Sequence, residues 1–183
     1  MKIGILGFQG AVIEHQRHIE QLGQEAVVVR YTEQLAEIDG IILPGGESTT
    51  MGMMEPFREK IQQGMPVWGT CAGMILLAKE LDQDPVVHLG MMDITVRRNA
   101  YGTQIDSFDT QVVIPEVSDE QIPLVFIRAP YIVRTGERVK VLCEVERHVV
   151  AAREKNMLAT SFHPELTGNA AFHQYFIGMC SGK

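Results

Sequence analysis

The chain is poor in features that mark several large protein classes. Of its 183 residues only 3 are cysteine, at Cys71, Cys143 and Cys180, with no metal-like or Cys-x-x-Cys spacing. An odd, scattered set disfavours a disulfide framework and a zinc site, so free thiols in a reducing compartment are expected. Basic side chains are outnumbered, 16 Lys and Arg against 23 Asp and Glu, for a formal net charge of −7. Arg97 and Arg98 form the densest basic pair, so a surface that tracks nucleic-acid phosphates is not expected. No apolar run approaches the ~20 residues that a membrane-spanning helix needs. The amino terminus carries one lysine and then a short apolar stretch broken by Gly4, Gly7 and Gly10. That reads as a first strand and not as a secretory signal. A cytoplasmic chain without membrane or nucleic-acid partners is the expectation. No linker, repeat or low-complexity segment is visible, and a single domain over residues 1–183 is the simplest organisation.

What is present is the composition of a soluble globular protein, 45% hydrophobic and 21% charged. The first half alternates short apolar runs with amphipathic segments. Ile3–Leu6, Ala26–Arg30, Ile41–Leu43 and Val67–Gly69 read as buried strands, while Ala11–Leu22 and roughly Met53–Gln63 carry helical spacing. This order predicts an α/β fold of three layers, flavodoxin-like, with a mostly parallel sheet and helices on both faces. The second half is strand-like at Asp93–Val96, Thr110–Ile114, Leu124–Ile127, Val139–Val145, Val149–Arg153 and Leu158–Ser161. Some of these segments are expected to form an added antiparallel region, and a helix at about Asn169–Met179 closes the chain. The spacing Gly4-x-x-Gly7-x-x-Gly10 is not that of a dinucleotide fingerprint, and Arg30 stands where an acid would be needed. These glycines read as sites of tight packing and turning.

Gly69-Thr70-Cys71-Ala72-Gly73 follows a predicted strand, Pro66–Gly69, and precedes a predicted helix, Met74–Lys79. A nucleophile between small residues at a strand-to-helix junction is the elbow pattern, which exposes the side chain at the top of a sheet. The helix amino terminus there favours a thiolate over a thiol of ordinary pKa, about 8.5. The bland alternative is a buried cysteine acting as a small hydrophobe. That alternative suits Cys143, inside a strand pattern, and Cys180, in the last helical turns. Near the carboxyl end, Ser161-Phe162-His163-Pro164-Glu165 leaves a predicted strand. Pro164 favours an extended His163, so His163 and Glu165 are expected on one side, with the carboxylate fixing the imidazole as base. His15, His18, His88, His148 and His173 read as solvated or internally satisfied. Leu43-Pro44-Gly45-Gly46-Glu47-Ser48 follows the third predicted strand. On its own this is equally a plain turn. Beside a cysteine elbow, the Gly46 and Ala72 N–H groups become candidates for an oxyanion hole.

These pieces resemble the class I glutamine amidotransferases, and more closely the glutaminase subunits of pyridoxal phosphate synthase. The resemblance rests on Gly7-Phe8-Gln9-Gly10, Leu43 through Thr50, Gly69 through Gly73, Arg98-Asn99-Ala100-Tyr101-Gly102, Phe126-Ile127-Arg128-Ala129-Pro130 and Ser161 through Leu166. It implies Cys71, His163 and Glu165 as a catalytic triad. It also implies that Gly46, Glu47, Ser48, Arg98, Ile127 and Arg128 hold glutamine. Chemistry alone makes Arg98 and Arg128 candidates for the substrate carboxylate, through charge-assisted bonds. The implied activity cuts glutamine to glutamate and ammonia through a γ-glutamyl thioester. The implied partner is a barrel-type synthase subunit in a hetero-oligomer, which uses the ammonia to build pyridoxal phosphate from a pentose phosphate and a triose phosphate. Pyridoxal phosphate is then a pathway product, and neither a cofactor nor a metal is implied for this chain.

Two departures from that pattern bear on partner docking or lid geometry. Thr103 stands where the family usually carries a basic residue, and the stretch from Thr50 to Pro66 is shorter than usual. The alternatives are a glutaminase serving another acceptor, such as imidazole glycerol phosphate synthesis, or a non-catalytic docking module of the same fold. The Arg98-to-Gly102 block argues against the first. The intact Cys, His and Glu set argues against the second.

Overall fold

A computed structural model describes residues 1–7, 10–44, 54–98 and 107–182. The amino-terminal elements are β1 (Lys2–Leu6), α1 (Val12–Gln21), β2 (Glu25–Val29), β3 (Gly40–Leu43), α2 (Met54–Gln62), β4 (Val67–Thr70), α3 (Ala72–Leu77) and β5 (Ala78–Leu81). A 3-10 turn at Thr32–Ala36 lies between β2 and β3. The rest comprises β6 (Met92–Arg97), β7 (Ser107–Ile114), β8 (Ser118–Ile127), β9 (Tyr131–Thr135), β10 (Lys140–Val145), β11 (His148–Glu154), β12 (Met157–Thr160) and α4 (Ala171–Cys180).

The main sheet runs β2-β1-β3-β4-β12 with every neighbouring pair parallel. Its central strands are buried on both faces, as helices on either side require, and residues 40–43 and 67–70 are buried throughout. Period-two alternation divides these side chains between two cores. Ile41, Leu43, Val67 and Ala159 join Phe57 and Ile61 of α2 and Met74 and Leu77 of α3. Ile42, Trp68 and Leu158 face the other way, toward Ile19 of α1 and Phe172 and Phe176 of α4.

Beyond β12 the sheet turns antiparallel through β11, β9 and β6, with β10 paired on β11 and β5 closing that edge parallel to β6. This is the added antiparallel region that the second half of the sequence predicts. A separate hairpin, β7-β8, lies on the second core through Ile114, Ile122, Leu124 and Phe126. Phe126 stacks on Phe108 at 4.5 Å between ring centroids and meets Phe162 edge-on at 5.7 Å. Because His163 follows Phe162 directly, this aromatic contact ties the hairpin to the strand end that carries the imidazole.

Two elements differ from the sequence expectation. The predicted helix Met74–Lys79 ends early, because Ala78 adopts extended dihedrals and the chain passes straight into β5. Pairing with β6 overrides the helical preference of Ala78-Lys79-Glu80-Leu81, helped by a contact of 3.5 Å from Lys79 to Asp93. The strand β9 is absent from the sequence reading, and the structure forms it by pairing with β6. The β10-β11 hairpin turns through Glu146 and Arg147 at φ 50° and 66°, the two-residue geometry usually signalled by Asn-Gly, which this sequence does not supply.

Removing the Phe126 ring is expected to cost about 3–5 kcal/mol, since its packing cavity is walled by other rings. Val113→Ala, at a position 50% exposed on the same hairpin, is expected to stay within ~0.5 kcal/mol of wild type. Urea unfolding of both variants checks the contrast, and equal losses would contradict the hairpin's role as a packed layer.

Candidate active site

The carboxyl ends of β3, β4 and β12 lie side by side, the place where open α/β sheets build their sites. Cys71 leaves β4 at φ 50° and ψ −110°, a conformation that non-glycine residues seldom adopt. Its N–H donates to the Thr160 carbonyl at 2.8 Å, so the last residue of the adjacent strand sets its position. The flanking glycines are sterically required. A methyl at Gly69 would strike the Gly73 carbonyl, and one at Gly73 would strike the Leu43 carbonyl of β3. Thus the small residues that suggest an elbow in the sequence permit one in the fold. Ala72 opens α3, which is 6 residues long. Cys71 Sγ lies 3.9 Å from the Ile127 carbonyl, which brings the end of β8 against the sulfur. Arg128 comes next, exposed and at φ 45°.

The backbone N–H of His163 donates to the Val125 carbonyl at 2.8 Å, tying this residue to the β7-β8 hairpin. Glu165 reaches His163 by a route the sequence does not reveal. Instead of an extended segment, Pro164 starts a 3-10 turn at Pro164–Leu166. The turn folds Glu165 Oε1 back to 2.8 Å from His163 Nδ1. The Cys71 side chain acts on the same ring, raising its pKa together with Glu165. Cys71, His163 and Glu165 therefore meet at one site although 92 residues separate the first two.

Burial works against a charged His163, but hydrogen bonds and charge from Cys71 and Glu165 outweigh it and push the imidazole up to about 10. Burial likewise opposes ionisation of Glu165, yet its hydrogen bond to His163 and the nearby His15 hold it below its ordinary 4.5. An imidazolium beside sulfur is the arrangement that supports a thiolate nucleophile.

Arg98 follows β6, which β11 and β9 separate from β12 in the sheet. Its Nε lies 3.6 Å from Asp84 Oδ2 and its Nη2 3.3 Å from His88 Nε2. His88 therefore borders a candidate residue, and burial followed by the Arg98 charge holds its pKa below 6.5. Gly46, Glu47 and Ser48 lie outside the described residues, as do Thr103, positions 50–53 and the Asn99-to-Gly102 block. Among the described residues no cluster of His, Cys, Asp or Glu is arranged to hold a metal ion.

The sequence reading passes over three residues that the structure places behind Glu165. His15 is 0% exposed, His173 1% and His18 6%. His15 Nε2 stands 3.6 Å from Glu165 Oε2, and its Nδ1 stands 2.9 Å from His173 Nε2. His18 stacks on His173 at 4.3 Å and contacts the Thr167 carbonyl through Nε2 at 3.0 Å. A signal for His15 existed, because it lies four residues before the buried Ile19, on the core-facing stripe of α1.

A family model for SNO glutamine amidotransferases matches residues 5–182. The chain belongs to the SNO glutamine amidotransferase family. It is similar to the pyridoxal 5'-phosphate synthase subunit PdxT of Clostridium acetobutylicum, 56% identical over 97% of this chain and 99% of that one. A relative of the same description from Clostridium kluyveri is 57% identical, covering 98% and 100%. A solved structure described as a glutamine amidotransferase superposes with a TM-score of 0.91 at 38% identity, over 98% of both chains. The Trypanosoma brucei CTPS glutaminase domain, solved with bound acivicin, shares the fold at a TM-score of 0.69 and 15% identity, over 100% and 94%. The fold is thus the flavodoxin-like one of glutamine amidotransferases. No described helix is long and apolar enough to cross a membrane.

In this amidotransferase the charged His163 links the site to stability. A histidine raised from 6.5 to about 10 stabilises the fold fully below pH 6.5, and that contribution is lost as pH rises through about 10. Glu165, lowered from 4.5, contributes above that value and loses its contribution as pH falls. His163→Gln should therefore lag wild type most between pH 4.5 and 6.5, with the gap closing toward pH 10. Urea melts at stepped pH measure it, and a gap of constant size across this range would contradict the charge assignment.

Proposed function

We propose that Cys71, His163 and Glu165 act as nucleophile, general acid–base and orienting carboxylate in the hydrolysis of L-glutamine to L-glutamate and ammonia. The meeting of Cys71, His163 and Glu165 at adjoining strand ends, with His163 Nδ1 2.8 Å from Glu165 Oε1, carries this reading. Residues 1–183 serve as one glutaminase domain. The sulfur attacks the side-chain carboxamide carbon, and the new oxyanion is held by the Gly46 and Ala72 N–H groups. The imidazolium gives its proton to the leaving nitrogen, the carbon–nitrogen bond breaks, and ammonia departs from a γ-glutamyl thioester. Water then gives a proton to His163 and attacks the thioester, the carbon–sulfur bond breaks, and glutamate leaves with the thiolate restored. Losing one oxyanion donor costs about 3 kcal/mol of barrier, roughly a hundredfold in rate. Gly46, Glu47, Ser48, Arg98, Ile127 and Arg128 form the substrate grip, the two guanidiniums serving the carboxylate.

Relatives at 56% and 57% identity described as pyridoxal 5'-phosphate synthase subunits support the destination of the ammonia. The chain works in the cytoplasm as the glutaminase subunit of pyridoxal 5'-phosphate synthase. It forms a hetero-oligomer with a barrel-type synthase subunit, and pyridoxal phosphate is the product of the pair. Free ammonia escapes and protonates, so hydrolysis without an acceptor wastes glutamine. Synthase binding therefore raises turnover by repositioning the Gly45-Gly46 peptide.

The test is glutamate release from glutamine by wild type and Cys71→Ala, each with and without the synthase subunit. Wild type is expected to be slow alone and at least about tenfold faster with the synthase, while Cys71→Ala falls by roughly 10⁴-fold or more in both conditions. Turnover that ignores the synthase rejects the switch. Activity surviving Cys71→Ala rejects the nucleophile, and failure of a glutamine-like electrophile to label Cys71 would favour a non-catalytic docking module.

A further inference from the structure

Glu165 presents an electrostatic problem that the triad alone leaves unsolved. Its side chain is 1% exposed, and only Oε1 is engaged by His163. Oε2 is sealed from solvent with no hydrogen-bond partner among the described residues. A buried carboxylate that must stay ionised cannot leave one oxygen bare without a large desolvation cost. The polar atom that faces it is His15 Nε2, at 3.6 Å, itself buried and otherwise unpartnered.

The tautomers of the histidine cluster follow from where protons can go. His15 Nδ1 and His173 Nε2 are 2.9 Å apart, so one donates and the other accepts. Suppose His15 Nδ1 carried the proton. Its Nε2 lone pair would then point at the carboxylate oxygen, and His173 would bury a proton on Nδ1, an atom without a partner. Both consequences are unfavourable, since a buried donor without a partner keeps its full desolvation penalty. In the other assignment His173 donates from Nε2 to His15 Nδ1, and His15 donates from Nε2 to Glu165. His18, with Nε2 at the Thr167 carbonyl, then also carries its proton on Nε2. The atoms without partners in this arrangement, Nδ1 of His18 and His173, are bare lone pairs rather than N–H groups.

We infer that His15 is a positioning residue for glutamine hydrolysis, donating its Nε2–H to the second oxygen of Glu165 and holding that carboxylate in the plane of His163. The inference rests on the triad reading above. Burial keeps His15 down at about 4 against the pull of the Glu165 charge, so it donates as a neutral ring. A neutral donor satisfies the oxygen without competing with His163 for the negative charge. His173 is neutral as well, held well below 6.5 by burial and then by its histidine neighbours. The cluster is rigid for steric reasons, because Trp68 meets His15 edge-on at 5.8 Å and His173 at 5.1 Å. Trp68 itself is fixed through Nε1 to Thr160 Oγ1 at 3.0 Å, and the Thr160 carbonyl holds the Cys71 N–H. One side chain thus braces both the carboxylate's support and the strand that positions the nucleophile.

The test combines a spectroscopic arm with a kinetic one. In wild-type protein with ¹⁵N-labelled histidine, the His15 ring shifts and couplings should report a neutral Nε2–H tautomer at pH 7. A His15 proton on Nδ1 would overturn the inference without reference to any variant. In glutamate-release assays with the synthase subunit present, His15→Leu should lower kcat by roughly 10–100-fold with KM for glutamine within about twofold. His15→Gln, whose amide N–H can occupy the Nε2 position, should recover most of that loss. Equal kcat losses in both variants would reduce His15 to a packing residue and overturn the proposal. If wild type releases no glutamate, or Cys71→Ala matches it, the triad reading fails first and the inference falls with it. If those controls hold and only the Leu-to-Gln contrast is missing, the positioning role alone is rejected.

Discussion

The hydrogen bond from the Cys71 N–H to the Thr160 carbonyl, 2.8 Å long, is the contact on which the rest of the site depends. It crosses from the end of β4 to the end of β12 and fixes a residue whose φ of 50° no ordinary strand would tolerate. Such a conformation costs about 1–3 kcal/mol and persists only where its surroundings over-determine it. Here the surroundings are the two parallel pairings that place β4 between β3 and β12, and the glycine gaps that let α3 start against the Leu43 carbonyl. A slip of one residue in the β4-β12 register would turn every side chain to the opposite face. It would carry Trp68 out of the second core and separate sulfur from imidazole at once.

A second constraint operates on charge. Glu165 is buried, yet it must remain ionised to stabilise a charged imidazole. The fold sets one ring against each carboxylate oxygen, His163 2.8 Å from Oε1 on the thiol side and His15 3.6 Å from Oε2 on the core side. Burial pushes both rings down, and only at His163 do the interactions with Cys71 and Glu165 outweigh it. His163 sits at 16% side-chain exposure beside an anionic partner, whereas His15 is fully enclosed and loses its proton affinity to desolvation. Identical side chains are thereby driven in opposite directions from 6.5, one to about 10 and one to about 4.

The sequence disclosed the parallel half of the sheet because its strands are buried on both faces and read as short runs of β-branched residues. It disclosed the elbow because glycine on both sides of a cysteine has few other uses at a strand end. What stayed hidden was set by tertiary contact. Ala78-Lys79-Glu80-Leu81 has no local reason to leave a helix, and does so by pairing with β6. Strand alternation would present Glu165 beside His163, but in the structure the 3-10 turn at Pro164 makes that contact instead. His15, His18 and His173 were unremarkable one at a time. Their meeting requires α1 and α4 on the same face of the sheet, which periodicity cannot show. Gly46 to Ser48, which the sequence leads one to expect against glutamine, lie outside the described residues.

The distribution of backbone strain separates structure from function within one fold. Among described non-glycine residues, positive φ occurs at Gln83, Glu146, Arg147 and Lys155, all exposed, and at Cys71 and Arg128. Glu146, Arg147 and Lys155 sit in the hairpin turns joining β10 to β11 and β11 to β12, where the twist of paired strands favours such dihedrals. Cys71 and Arg128 have no turn of that kind to account for them. Yet they come together, because the residue before Arg128 presents its carbonyl 3.9 Å from the Cys71 sulfur. Two strained positions from distant parts of the chain, converging on one thiol, are what a site with an enforced geometry requires, and a cysteine serving only as a small hydrophobe would need neither.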